Sequence, residues 1–238
     1  RRQRQMCIRD RMWGPFLRDF EAHLDAKGWL GKCCVAMDER SPEVMAEATA
    51  LLREVAPELG IALADNHKSF KQYPYIRDMC AGIFGPIDPA DIADRRARGL
   101  TTTYYVCCSS GFPNTYTSSA PAEAVYLSWY AAAGDYDGFL RWAYNSWPED
   151  PIRDSRFGTW TAGDTYIVYP EGRSSIRFER LVEGIQDWEK IRQLKAEAAG
   201  DGERLQRIET LLEPFRSPIA FEGWEQALRD ARAALDTL

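Results

Sequence analysis

The sequence holds no run approaching the roughly 18 uninterrupted apolar residues of a membrane-spanning helix, so no membrane span is expected. Histidine is almost missing: His23 and His67 are the only two, and they stand in no ligand spacing. No C-x-x-C occurs. Apart from Cys7, the cysteines are Cys33, Cys34, Cys80, Cys107 and Cys108, an odd number without framework spacing. These absences argue against a metal centre or a disulfide scaffold, and neither metal nor cofactor is expected. A basic excess is missing too. The formal charge is −6, and without the five Arg and one Asp of residues 1–11 the body carries 25 basic against 35 acidic side chains, a net −10. A body this acidic offers no footprint for a phosphate backbone, so nucleic acid is not an expected partner. There is no internal repeat and no visible signal peptide.

The opening eleven residues, RRQRQMCIRDR, lack helical and strand periodicity and resemble the translation of a sequencing adaptor. We set them aside and expect the chain proper to begin near Met12 behind a truncated front. The remainder reads as residues 12–200, an α/β body, followed by a helical extension over 201–238. With 45% hydrophobic residues, a chain of this length can bury a sizeable core.

Apolar Phe16, Leu17, Phe20 and Leu24 predict a helix over 15–27, ended by Gly28. CCVAM (Cys33 to Met37) suits a strand buried on both faces. Ser41 and Pro42 open a helix expected to reach Leu59 and close at Gly60. Strands are expected at 61–64, 81–84, 101–107, 138–144 and 165–169, and helices at 88–98, 120–133, 174–198, 203–213 and 222–235. The alternation predicts parallel βα units, about five before residue 145. That is an incomplete (β/α)8 TIM-type barrel followed by C-terminal helices.

The chemistry gathers at strand ends. Asp38 and Glu39 follow CCVAM directly, which places them at the C-terminal mouth of a parallel strand, where barrel enzymes carry catalytic residues. Neighbours in a regular strand point to opposite faces, so both acids can face one substrate only if the strand ends there. Alone, the dipeptide is better read as two ordinary loop acids. Trp142, Tyr144, Asn145 and Trp147 close another strand; aromatic faces stack on sugar C–H faces, and an amide can pair with a hydroxyl or acetamido group. Core packing accounts equally well for half of these aromatics. Tyr104 and Tyr105 raise the same question, and alternation lets only one face inward. Asp65 and Asp88 are further acids near strand ends, which a two-carboxylate hydrolase of another barrel family would use. For Asp65 a turn cap is the preferred reading.

Five motifs in order then settle the resemblance: VAMDE, TYYVC, GFLRWAYNSW, GDTYIVYP at 163–170 and SSIRFERLVEGIQDWEKI at 174–191. In order and spacing they resemble the catalytic region of glycoside hydrolase family 123, β-N-acetylgalactosaminidases, over Met12 to Leu194. The resemblance implies retaining hydrolysis assisted by the substrate's own 2-acetamido group through an oxazolinium ion, an exception to the two-carboxylate scheme. It implies Asp38 as the acetamido-orienting carboxylate and Glu39 as general acid and base. Tyr104, Tyr105, Trp142, Tyr144, Asn145 and Trp147 are the candidate substrate contacts. The expected partner is a glycan or glycoconjugate, and the expected location of the full-length protein is secreted, periplasmic or cell-surface. The competing class is a carbohydrate-binding or scaffolding protein without chemistry.

Overall fold

The computed structural model describes residues 12–38, 40–108 and 110–238. Five strands, β1 (Cys34–Met37), β2 (Gly60–Ala64), β3 (Ile76–Gly82), β4 (Thr101–Val106) and β5 (Gly138–Arg141), form one sheet in the order β1-β2-β3-β4-β5. The pairings β1 with β2, β2 with β3 and β4 with β5 are parallel. Helices α1 (Gly14–Ala26), α2 (Pro42–Val55), α3 (Pro89–Ala97), α4 (Pro121–Ala133), α5 (Ile176–Glu197), α6 (Gly202–Leu212) and α7 (Trp224–Ala234) flank and follow the strands. Consecutive strands lying side by side in parallel, with helices between them, are the units of a (β/α) barrel, here followed by C-terminal helices.

Several features differ from the sequence reading: β5 ends at Arg141, not Tyr144, and β1, expected to be buried on both faces, has Ala36 exposed and its other residues only partly buried. The helix opened by Ser41 stops at Val55, not Leu59, because Pro57 cannot continue it. Gly60 therefore opens β2 instead of closing a helix. The strand expected at 81–84 lies earlier, at 76–82. Arg77 and Asp78 hide its apolar pattern, although the Arg77 guanidinium is satisfied by the carbonyls of Leu30, Cys33 and Glu58 at 3.1, 3.1 and 3.2 Å. Between β2 and β3 stands only a single 3-10 turn, Ser69–Lys71, so this crossover lacks its α-helix. Finally, residues 165–169 form no strand of the parallel sheet. They run antiparallel to the segment after β5 through the Asn145–Tyr166 bridge and the Ser146 N–H to Thr165 carbonyl bond of 3.0 Å.

The described residues divide into two compact units, one made of those up to residue 81 with 95–101, the other of those in 82–94 and from 102 onward. In the first, α1 and α2 accompany β1 and β2, with Leu17, Leu24, Met45, Leu52, Ile61 and Leu63 buried. Glu21 on α1 caps the start of β2 by accepting the N–H groups of Glu58 and Leu59 at 2.9 and 2.8 Å. The buried Arg95 ties the carbonyls of Ile76 and Thr101 at 3.2 and 2.7 Å.

In the second, α4 is buried along almost its whole length. Gly184 on α5 lets α4 approach closely: a Cβ there would lie 2.8 Å from the Ser128 hydroxyl and 3.0 Å from the Val125 Cα. The C-terminal helices belong to this same unit. Phe215 is fully buried against the rings of Trp129 and Tyr126, and the Tyr126 hydroxyl donates to the Ser217 carbonyl at 2.9 Å.

Candidate active site

In the first unit, Asp38 is exposed and follows the last residue of β1. Two residues past Glu39, Ser41 caps α2 by accepting the Val44 N–H, so the segment between β1 and α2 is only four residues long. The strand ends before the acids, as both facing one substrate would require. Glu39 lies outside the described residues. At the end of the paired strand β2, Asp65 is buried, and its two carboxylate oxygens accept the N–H groups of His67 and Ser69 at 2.8 and 2.5 Å. That is a turn cap, with both oxygens already committed. Asp88, which belongs to the second unit, likewise caps a helix start, accepting the Ala90 N–H at 2.8 Å.

In the second unit the aromatic candidates separate. Tyr104 is fully buried, its ring among Tyr130, Tyr136 and Phe139 and its hydroxyl donating to the Leu127 carbonyl at 2.5 Å; it is a core residue. By alternation Tyr105 points to the other face of β4, where it is 9% exposed. Trp142, directly after β5, is 38% exposed and packs on Trp160 at 4.9 Å between ring centres. Tyr144 leaves that pair and packs edge-on against Phe178, lining an apolar groove of about 400 Å³ with Phe139, Ile167, Leu181 and Trp188. The Asn145 side chain is exposed, and its backbone bridges Tyr166. Trp147 is half-buried and donates its indole N–H to the Val168 carbonyl at 2.7 Å. The structure thus brings Trp142 together with Trp160 and sends Tyr104 and Tyr144 elsewhere.

The loops around these aromatics stand on buried polar groups. After β4, the Asn114 amide donates to the Cys107 and Ser110 carbonyls at 3.2 and 2.8 Å, and the Tyr116 hydroxyl reaches the same two carbonyls at 2.9 Å each. Burial, reinforced by the charge of Asp164, pushes the Tyr116 hydroxyl up to about 12. The Arg177 guanidinium, at the start of α5, donates through one nitrogen to the carbonyls of Thr115, Gly163 and Tyr166 at 2.7, 2.7 and 2.8 Å. Asp164 and Arg141 form a buried ion pair at 3.0 Å, and burial draws the Arg141 guanidinium below its ordinary value against the raising pull of Asp164. Sequence reading places Trp160 in a long aromatic loop after Tyr144 but makes neither it nor Asp164 a site candidate. The available signal was a single acid inside the otherwise neutral GDTYIVYP, where a buried charge demands a partner.

Among the described residues no cluster of three or more His, Cys, Asp and Glu side chains is placed to hold a metal. None of the described helices is long and apolar enough to cross a membrane.

A comparison with curated proteins finds no match. Among solved structures, the chain is similar to a family 123 glycoside hydrolase from Clostridium perfringens, reported in a study of glycolipid glycan hydrolysis, with 25% identity and a TM-score of 0.79. The likeness covers 95% of this chain and 44% of that one, so the chain spans under half the length of its relative. Residues 8–194 match the family described as glycoside hydrolase 123, catalytic domain, and the chain therefore belongs to that family.

Proposed function

We propose that the protein is a retaining β-N-acetylhexosaminidase acting on terminal β-linked N-acetylgalactosamine, with Asp38 and Glu39 as its catalytic pair. The observation that carries the reading is the family match over residues 8–194, with Asp38 of its VAMDE motif exposed just past a parallel strand. In the proposed reaction the 2-acetamido carbonyl oxygen attacks the anomeric carbon while the glycosidic C–O bond breaks. Asp38 accepts a hydrogen bond from the acetamido N–H, aims the carbonyl and balances the charge of the oxazolinium ion. Glu39 gives its proton to the departing oxygen, then takes one from the water that opens the ring. Tyr105, Trp142, Asn145 and Trp147 remain the proposed sugar contacts.

The alternative with two separated carboxylates loses support from the geometry of Asp65, whose oxygens are both engaged by backbone N–H groups. The decisive experiment compares aryl β-N-acetylgalactosaminide with the plain aryl β-galactoside. The first should be cleaved and the second left intact, and Asp38→Asn should slow the first by roughly 10²–10³-fold. Equal turnover of both substrates, or a covalent sugar trapped on Asp38, would sink the mechanism.

A further inference from the structure

Arg141 is the last residue of β5 and Trp142 the first beyond it, yet both reach one carboxylate. Asp164 Oδ1 accepts the Arg141 Nη2 at 3.0 Å and the Trp142 indole N–H at 3.1 Å, while the Asp164 main-chain carbonyl accepts the same Nη2. The Asp164 side chain is completely buried and that of Arg141 is 6% exposed. Asp164 Oδ2 and the Arg141 Nε and Nη1 are buried with no hydrogen-bond partner among the described residues.

As a stabilising device this pair is poor, because it carries a desolvation cost and leaves three polar atoms unanswered where apolar side chains of similar volume would do as well. What it does supply is direction. An indole has a single donor, so a carboxylate fixed by a buried guanidinium sets both the position and the rotation of the ring that donates to it. Trp160 packs 4.9 Å away at 50° to it, and Trp142 still keeps 38% of its surface exposed.

We propose that Asp164 is a positioning residue, whose buried carboxylate holds Trp142 as a fixed wall for a sugar ring. This rests on the reading of Trp142 as a sugar contact. Arg141 keeps Asp164 in place through their ion pair, and Asp164 touches no substrate itself.

The test uses two variants and two readouts. Asp164→Asn keeps an acceptor oxygen for the indole. The double variant Arg141→Leu with Asp164→Leu removes acceptor and buried charge together, so that no uncompensated ion is left to unfold the protein. The first readout is solvent exchange of the Trp142 indole N–H in protein labelled with ¹⁵N-tryptophan, its resonance assigned by its loss in Trp142→Phe. The second is the affinity for N-acetylgalactosamine.

In the unaltered protein the Trp142 N–H should exchange slowly. Asp164→Asn should keep that protection and bind the sugar within a few-fold of the unaltered protein. The double variant should keep its melting temperature, lose the protection and bind about tenfold more weakly, the worth of one well-oriented aromatic contact. A Trp142 N–H that exchanges freely in the unaltered protein overturns the proposal, as does a double variant that loses protection yet binds normally. If the unaltered protein binds no N-acetylgalactosamine while the N–H stays protected, the sugar reading fails and the fixed indole stands. If Asp164→Asn keeps its melting temperature yet loses protection along with the double variant, an acceptor oxygen alone is insufficient and the proposed hold fails.

Discussion

The two units solve the problem of presenting a side chain at a strand end in different ways. In the first, the ends of β1 and β2 are shaped by backbone turns: Ser41 caps α2, Asp65 caps the turn at His67 and Ser69, and Asp38 stays exposed. In the second, the ends of β4 and β5 are underpinned by buried charge, with Arg177 gathering three carbonyls and Asp164 joining Arg141 to Trp142. An acid at a strand end stays open to water where a short capped loop leaves it exposed. An exposed aromatic needs its orientation imposed from beneath, and only directional polar contacts impose it.

The largest expected effect falls on the acids. Glu39→Gln should lower kcat on an unactivated β-N-acetylgalactosaminide by roughly 10²–10⁴-fold, the usual worth of a general acid. The loss should shrink with an activated aryl leaving group. An equal loss for both leaving groups would remove the acid role from Glu39 and with it the contrast between chemistry in one unit and support in the other.

Next in size is Arg177→Met, which leaves three buried carbonyls without their donor. It should cost about 3 kcal/mol or more in denaturant unfolding, since hydrogen bonds to a buried charged group are worth roughly 1.5–3 kcal/mol each and are not additive. A change near zero would show that the second unit does not depend on its buried charges. Asp65→Ala, the corresponding lesion in the first unit, should cost about 1–2 kcal/mol, the scale of a lost cap. If it proved the costlier of the two, the contrast would invert.

A further effect, read against pH instead of by substitution, is carried by tyrosines of the second unit. Burial raises the hydroxyls of Tyr116, Tyr126 and Tyr166 to about 12 from an ordinary value near 10. The folded state then binds protons that the unfolded state has released, so stability is full below pH 10 and declines between about 10 and 12. Phenolate absorbance should therefore rise together with the loss of near-ultraviolet circular dichroism. Full ionisation of these tyrosines in a protein that stays folded would contradict their burial.

Much of the fold was legible because its elements obey local rules. β1, β2, β4 and β5 are short apolar or β-branched runs, Ser41 and Ser175 are helix caps, and the helices from Ala120 onward lie within a few residues of the sequence reading. What escaped depended on distant partners. β3 is masked by Arg77, whose charge makes sense only beside carbonyls from three other positions. Residues 165–169 have the composition of a strand, but they pair with the segment after β5 rather than with the sheet. Within the site, alternation separated Tyr104 from Tyr105, with Tyr104 entering the core. The Trp142–Trp160 pairing and the Asp164 clamp join residues 18 and 22 positions apart in sequence, beyond the reach of any local pattern.

Arg177 also sets an order of events. Its three carbonyl partners, Thr115, Gly163 and Tyr166, come from loops separated by as many as 62 positions from the arginine that joins them. Gly163 is already tuned to that meeting: at φ +79 it lies where a Cβ would press on the guanidinium at 2.8 Å. Neither loop can take its final path until the first turn of α5 has arrived, because only then do these carbonyls find a donor that repays their removal from water. The loops bearing Thr115 and Gly163 therefore gain this donor only once α5, which is synthesised after them, has formed.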